Sequence, residues 1–308
     1  MSLLRISIVQ YLNTAPLVRG LTHGPLRGKY ELSFTVPAQC AEALRTGAAD
    51  VAIIPAIEYQ RIPDLVILPN LSIASKKSVR SLLLISQKPL DQVRKIALDK
   101  SSRSTQALVR ILCDGHWKIA PEFLEAAPDL PAMLQNADAA LLIGDPALRL
   151  SLACASAGTR DAEKVLMVPV RTAGLASAGP VWIYDIVEEW HAMTDAPAVM
   201  AVWAARKSAV TPELVQDFQD SLAFGLSHLD AIANEAAQEL GLPAAELRRY
   251  LSDNIDYWLN DENLRGLIHY YAAAARLGLI ARVNGLAFAA EPGRPVRYHD
   301  ALIGRRSD

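Results

Sequence analysis

The sequence predicts an α/β fold of two similar lobes, with a cleft between them and a helical C-terminal tail. Three observations carry this expectation. From Arg5 to Pro55 the chain reads as strand, helix, strand, helix, strand, which implies a parallel sheet. The block E-A-L-R-T-G-A-A-D-V-A-I-I-P from Glu42 shares its order of short helix, cap, Ala-Asp and buried strand with A-M-L-Q-N-A-D-A-A-L-L-I-G-D from Ala132. From Thr211 onward the patterning is helical.

The elements follow in order. Ile6, Ile8 and Val9 make the first strand, and Asn13-Thr14 ahead of Pro16 is a helix start signal. Tyr11, Leu12 and Asn13 then lie at the carboxyl end of a strand, where open α/β sheets bind ligands because the next helix presents unpaired N–H groups. Tyr30 to Val36 alternates as a second strand, Pro37 opens a short helix closed by Gly47, and Ala49 to Pro55 is a strand buried on both faces. Its end leads into Ala56-Ile57-Glu58-Tyr59. Leu71 to Ser86 reads as a hydroxyl-rich loop entering another apolar strand. Arg94 to Asp99 is a strand, 100–104 a polar turn, and Thr105 to Cys113 a helix. Ala139 to Ile143 is a strand ending at Gly144-Asp145-Pro146, a second helix start.

Ser151 to Pro180, rich in Ala, Gly and Ser, reads as an insertion that is mostly loop, with Val165 to Val170 strand-like. Ala198 to Ala204 is a strong strand, placed late enough to return to the first lobe. Helices starting at Thr211-Pro212, Pro243 and Asp261 follow, and these are expected to cover the first lobe's sheet. The first lobe is therefore expected to hold residues 1–88 and 191–308, and the second 89–190.

Several function classes drop out. The 308 residues are 51% hydrophobic and 21% charged with a formal net charge of −2, so no basic field suggests nucleic acid or an anionic membrane surface. No run approaches the roughly 20 apolar residues of a membrane span. Met1 to Arg5 enters the first strand without an export signal, so a cytoplasmic protein is expected. Cys40, Cys113 and Cys154 form no C-x-x-C pair and read as buried thiols, and the six histidines are scattered, so no metal site is expected.

Taken together, the blocks S-I-V-Q-Y-L-N-T-A-P-L, A-E-A-L-R-T-G-A-A-D-V-A-I-I-P-A-I-E-Y, I-A-S-K-K-S-V-R-S-L-L-L-I-S, A-L-D-K-S-S-R-S-T-Q-A-L, A-A-L-L-I-G-D-P-A-L and Y-D-I-V-E-E-W resemble the chorismate dehydratase family (MqnA family) of the futalosine route to menaquinone. The resemblance runs from about Arg5 to Leu279. It implies a type II periplasmic-binding-protein-like fold in a cytosolic enzyme that removes water from chorismate to give 3-[(1-carboxyvinyl)oxy]benzoate. No cofactor is implied. Two departures stand out: Lys76-Lys77-Ser78 occupies a place where the family more usually has a Gly-Pro pair, and the segment 151–180 is longer than usual.

That reaction sets requirements. Chorismate is a dianion, and without a dedicated arginine cluster its carboxylates call for helix N-termini and hydroxyls. Ser81, Ser102, Ser104 and Thr105 are hydroxyls at strand ends or a helix start, where each could cap the helix or dock a carboxylate. Arg80 and Arg103 are adjacent cations that face either substrate or solvent. Gly144 and Asp145 lie at a strand end, and Asp145 could accept from the ring hydroxyl or cap its helix. Glu58 and Tyr59 are weaker candidates, Glu58 reading as a surface residue of its turn. Tyr11 and Asn13 complete the set. An amide is far too weak a base, so Asn13 is expected to orient the reacting group while the substrate's own enolpyruvyl carboxylate takes the proton. Two other readings remain open: a non-catalytic solute-binding protein of the same fold, and the 1,4-dihydroxy-6-naphthoate synthase of the same pathway. The oligomeric state is not legible.

Overall fold

The structure, a computed structural model, describes residues 3–156, 165–166, 181–290 and 298–299. The greater part of the expected 151–180 insertion lies outside the described residues. In chain order the strands are β1 (Arg5–Val9), β2 (Glu31–Thr35), β3 (Val51–Pro55), β4 (Leu65–Ser75), β5 (Leu82–Ser86), β6 (Lys95–Asp99), β7 (Glu122–Ala126), β8 (Ala139–Ile143), β9 (Val165–Leu166), β10 (Val181–Asp185) and β11 (Ala198–Arg206). One sheet has the order β2-β1-β3-β11-β4 and another β7-β6-β8-β5-β10-β9. The chain divides into two compact units, one made of Met1–Ala74, Val199–Ile232 and Asp256–Asp308, the other of Ser75–Ala198 and Ala233–Ile255. Among the described residues no helix is long and apolar enough to cross a membrane.

In the first unit β1 runs parallel to β2 and β3, and β11 joins β3 antiparallel with Ala201 opposite Pro55. Ile6, Ile8, Ile53 and Ile54 are wholly buried between the sheet and its helices. The helix Pro212–Leu226 packs on the helix Ala15–Thr22 at backbone contact. Ser221 donates from Oγ to Leu17 O at 2.8 Å and accepts from Gly20 N at 3.1 Å. A Cβ on Gly225 would lie 1.9 Å from Pro16 O, so only glycine permits this approach.

The internal repeat has a physical counterpart. Asp50, just before β3, accepts from Arg5 N at 2.9 Å and from Arg5 Nη2 at 2.7 Å, fastening the start of β1. Asp138, just before β8, accepts from Arg94 N at 2.9 Å and Lys95 N at 3.1 Å, fastening the start of β6. Each Ala-Asp pair thus sets the register of two parallel strands. Hydrogen bonds from Arg5 hold the Asp50 carboxyl below the ordinary carboxylate range, outweighing its partial burial.

Three expectations about elements are corrected. Leu71 to Ser75 is not a loop but the end of the eleven-residue β4. The units do not divide at residues 88–89 and 190–191, because β5 pairs antiparallel with β8 and β10, which places it in the second sheet. Finally, 233–255 belongs to the second unit: Tyr250 Oη donates to Ser81 Oγ at 2.9 Å, Arg80 Nη1 lies 3.6 Å from Glu246, and Asn254 Nδ2 donates to Ser78 O at 3.0 Å.

Candidate functional site

In the first unit the carboxyl ends of β1 and β3 share one sheet edge because the strands are parallel. Tyr11 is extended (φ −119°, ψ 153°), and its carbonyl accepts from Thr14 N at 2.9 Å, closing a tight turn over Leu12–Thr14. Buried Leu12 fixes that turn to the core. The helix Ala15–Thr22 follows with Pro16 in its first turn. The expected side-chain cap is absent: Thr14 occupies the cap position, but its hydroxyl donates to Asn13 Oδ1 at 3.4 Å instead. The short turn has already closed the backbone there. Asn13 is half-buried, and its Nδ2 has no partner among the described residues, leaving two N–H donors at the strand end.

Glu58 is not a surface residue. It is wholly buried, accepts from Arg45, and accepts from Arg61 Nη1 at 2.9 Å. A buried carboxylate needs such partners, and here it ties the helix Pro37–Thr46 to the helix Ala56–Tyr59. Tyr59 accepts at Oη from Ala287 N at 2.9 Å, which also reads as an anchor.

In the second unit β6 and β8 run parallel to each other, and β5 runs antiparallel to both β8 and β10. The carboxyl ends of β6, β8 and β10 therefore meet the amino end of β5 at one edge. That edge gathers Arg80, Ser81, 99–105, Gly144, Asp145 and Asp185. Ser81 is buried, with its carbonyl accepting from Gly144 N at 2.8 Å. Gly144 has φ 68°, a left-handed turn that glycine adopts without strain. Asp145 lies within the first turn of the helix Gly144–Ser156 and not ahead of it as expected.

Arg80 also has positive φ (62°), which costs a non-glycine residue energy and needs support. Asp185 supplies it. One carboxylate oxygen accepts from Val79 N at 2.9 Å and Arg80 N at 2.6 Å, and the other from Val187 N at 2.9 Å and Glu188 N at 3.3 Å. Burial pushes the Asp185 carboxyl up to about 6, against the pull of those four N–H groups. The Arg80 side chain is directed within its own unit, toward Ser151 Oγ at 3.4 Å and Glu246.

The ten-residue helix Arg103–Leu112 starts at Ser102, whose side chain makes no cap bond. Among the described residues the hydroxyls of buried Ser102 and Thr105 have no partner. Ser104, buried in the same turn, lies beside them. Asp99 sets this turn: its Oδ1 accepts from Ser101 N at 2.9 Å and Ser101 Oγ at 2.6 Å. Its Oδ2 is buried without a partner, and burial pushes the carboxyl up. A helix start with unused hydroxyls and first-turn N–H groups can hold a carboxylate.

Reading the sequence missed Tyr250, Asp185 and Asp99. Asp99 and Asp185 had a signal, since each ends an apolar strand ahead of a helix. Tyr250 had none, being 169 positions from Ser81. Cys40, Cys113 and Cys154 are buried and unbridged, and burial pushes their thiols up to about 11, 12 and 11. Among the described residues no three His, Cys, Asp or Glu side chains gather as a metal site would need.

Comparison with known proteins places this arrangement. The chain is 29% identical over 276 residues to the chorismate dehydratase of Thermus thermophilus, covering 89% of this chain and 95% of that one. In structure it resembles a protein of Archaeoglobus fulgidus (TM-score 0.67, 18% identity, covering 90% and 98%) and the periplasmic aliphatic sulphonate binding protein SsuA of Escherichia coli (TM-score 0.57, 18% identity, covering 91% and 88%). The fold is therefore that of the periplasmic binding proteins. The sequence profile for menaquinone biosynthesis matches residues 4–276, and the chain belongs to that family.

Proposed function

We propose that the protein is a cytoplasmic chorismate dehydratase of the futalosine route. The observation that carries this reading is the likeness to the Thermus thermophilus enzyme along nearly that enzyme's whole length. The geometry of each unit supports it with the kind of donors a dicarboxylate needs. Ser102, Thr105 and Ser104 at the start of Arg103–Leu112 receive one carboxylate, aided by the positive end of the helix. Ser81, Arg80, Gly144 and Asp145 shape the rest of that edge, with Asp145 accepting from the ring hydroxyl. In the first unit, Tyr11 and Asn13 offer polar groups of the same kind at the turn after β1.

In the reaction the C3–H bond breaks, its electron pair becomes the C3–C4 double bond of an aromatic ring, and the C4 hydroxyl departs to leave as water. Aromatisation supplies the driving force, so positioning is the main task of the protein. The enolpyruvyl carboxylate of the substrate takes the C3 proton and hands it to the departing C4 hydroxyl, which leaves as water, while Asn13 Nδ2 orients the reacting group.

Incubating the purified protein with chorismate and following it by mass spectrometry tests this. A benzoate product lighter by one water is expected. Chorismate that is bound but returned unchanged would favour a solute-binding protein, the class of SsuA. The absence of both binding and turnover of chorismate would overturn the reading and point to the naphthoate synthase of the same pathway.

A further inference from the structure

We propose that the first unit carries a separate binding site for a neutral, polyhydroxylated ring, a sugar or sugar-like polyol, on the exposed face of Trp258. An open surface pocket of about 490 Å³ is lined by Asn70, Gln219, Asp220, Ala223, Trp258 and Asn260, a volume suited to a small ligand. None of these residues belongs to the proposed dehydratase machinery.

Three independent features point to a built site. Trp258 is 45% exposed, yet its backbone is held rigidly: its N–H donates to Asp256 Oδ1 at 3.0 Å, and its carbonyl accepts from Asn263 Nδ2 at 2.6 Å. Asn263 is wholly buried and also donates to Asp256 Oδ2 at 2.9 Å. The backbone that carries the indole is thus fixed before any ligand arrives. Asn70 is the one exposed residue in the otherwise buried β4, and it has φ 63°, a left-handed conformation in mid-strand that surrounding structure must enforce. Gln219, also a lining residue, has its Nε2 shut off from solvent and without an acceptor among the described residues, an unspent donor beneath the surface of the lining.

The lining chemistry selects the ligand class. The indole face and Ala223 offer an apolar wall for the C–H face of a ring. Around it stand both donors and acceptors. Asn260 Oδ1 is used by Asn263 N at 2.9 Å, which leaves its Nδ2 without a partner among the described residues. Asp220 Oδ1 accepts from Gln216 Nε2 at 2.8 Å, which leaves Oδ2 to accept from a hydroxyl. Hydroxyl groups, each donor and acceptor at once, match this mixture. Among the described residues the wall holds one carboxylate and no cation, which disfavours an anion such as chorismate here.

Saturation-transfer NMR and tryptophan fluorescence, with D-ribose, D-glucose and myo-inositol as probes, test the proposal on the full chain. At least one probe is expected to saturate with a Kd on the order of millimolar, weakened about tenfold or more by Trp258→Ala and also by Asp220→Asn. Asp220 is exposed, so the second variant folds even if the first does not. No saturable signal from any of the three, or binding unchanged in either folded variant, would overturn the site. The result is separable from the dehydratase reading, since both variants keep wild-type handling of chorismate whichever way that reading falls.

Discussion

The amide of Asn13 presents two N–H donors with no acceptor among the described residues, held at a strand end by the turn over Leu12–Thr14. Replacing it by Ala should cut chorismate turnover by at least ~100-fold, the scale of losing one well-placed polar group, with an unchanged melting temperature. Near-normal turnover would remove Asn13 from the mechanism. Ser102 allows a sharper separation, because a helix-capping serine and a ligand-binding serine differ in what their loss does. Its hydroxyl makes no cap bond, so Ser102→Ala should shift stability by less than about 0.5 kcal/mol, against roughly 1 kcal/mol for a lost cap. KM for chorismate should rise by about tenfold or more, the effect of a hydrogen bond to a charged group. Placing candidates at strand ends nominated both residues from the sequence. It could not decide whether a hydroxyl was already used, because capping depends on a rotamer and not on spacing. Glu58 shows the same limit in reverse: its neighbours in sequence read as a turn, while Arg45 reaches it from the helix Pro37–Thr46 and Arg61 from three residues further along the chain.

At the scale of elements, periodicity located β1, β2, β3, β6, β8 and β11 and the helices between them, since burial imposes that pattern directly on each strand. Partners were harder to read. The sequence of β5 says that it is buried, and nothing in it says which sheet buries it. Helix contacts were equally hidden, although Gly225 in the helix Pro212–Leu226 leaves room for Pro16. Gly225→Ala should destabilise the protein by about 1–3 kcal/mol in urea unfolding, the usual cost of overpacking a tight contact. Pro16 lies in the turn of helix that follows Asn13, so turnover should fall as well. A Gly225→Ala variant of wild-type stability would show that the two helices can part without strain.

At the scale of the whole molecule, each unit draws on distant stretches of chain. The second needs 233–255 to satisfy Ser81, Arg80 and Ser78. The fragment 75–198 alone should therefore be digested readily by protease, while the same fragment joined to 233–255 through a Gly/Ser linker should resist. Equal resistance of the two would show that the tail contributes little. The interleaving also bears on synthesis. A ribosome delivers the chain from its N-terminus, and Arg80 and Ser81 emerge long before Glu246 and Tyr250. The second unit must wait, incomplete, until about four-fifths of the protein has been made. The first waits for Trp258 and Asn263 as well, so both units close late and nearly together, and a nascent chain stalled before Tyr250 would have no finished unit to protect it from aggregation or degradation.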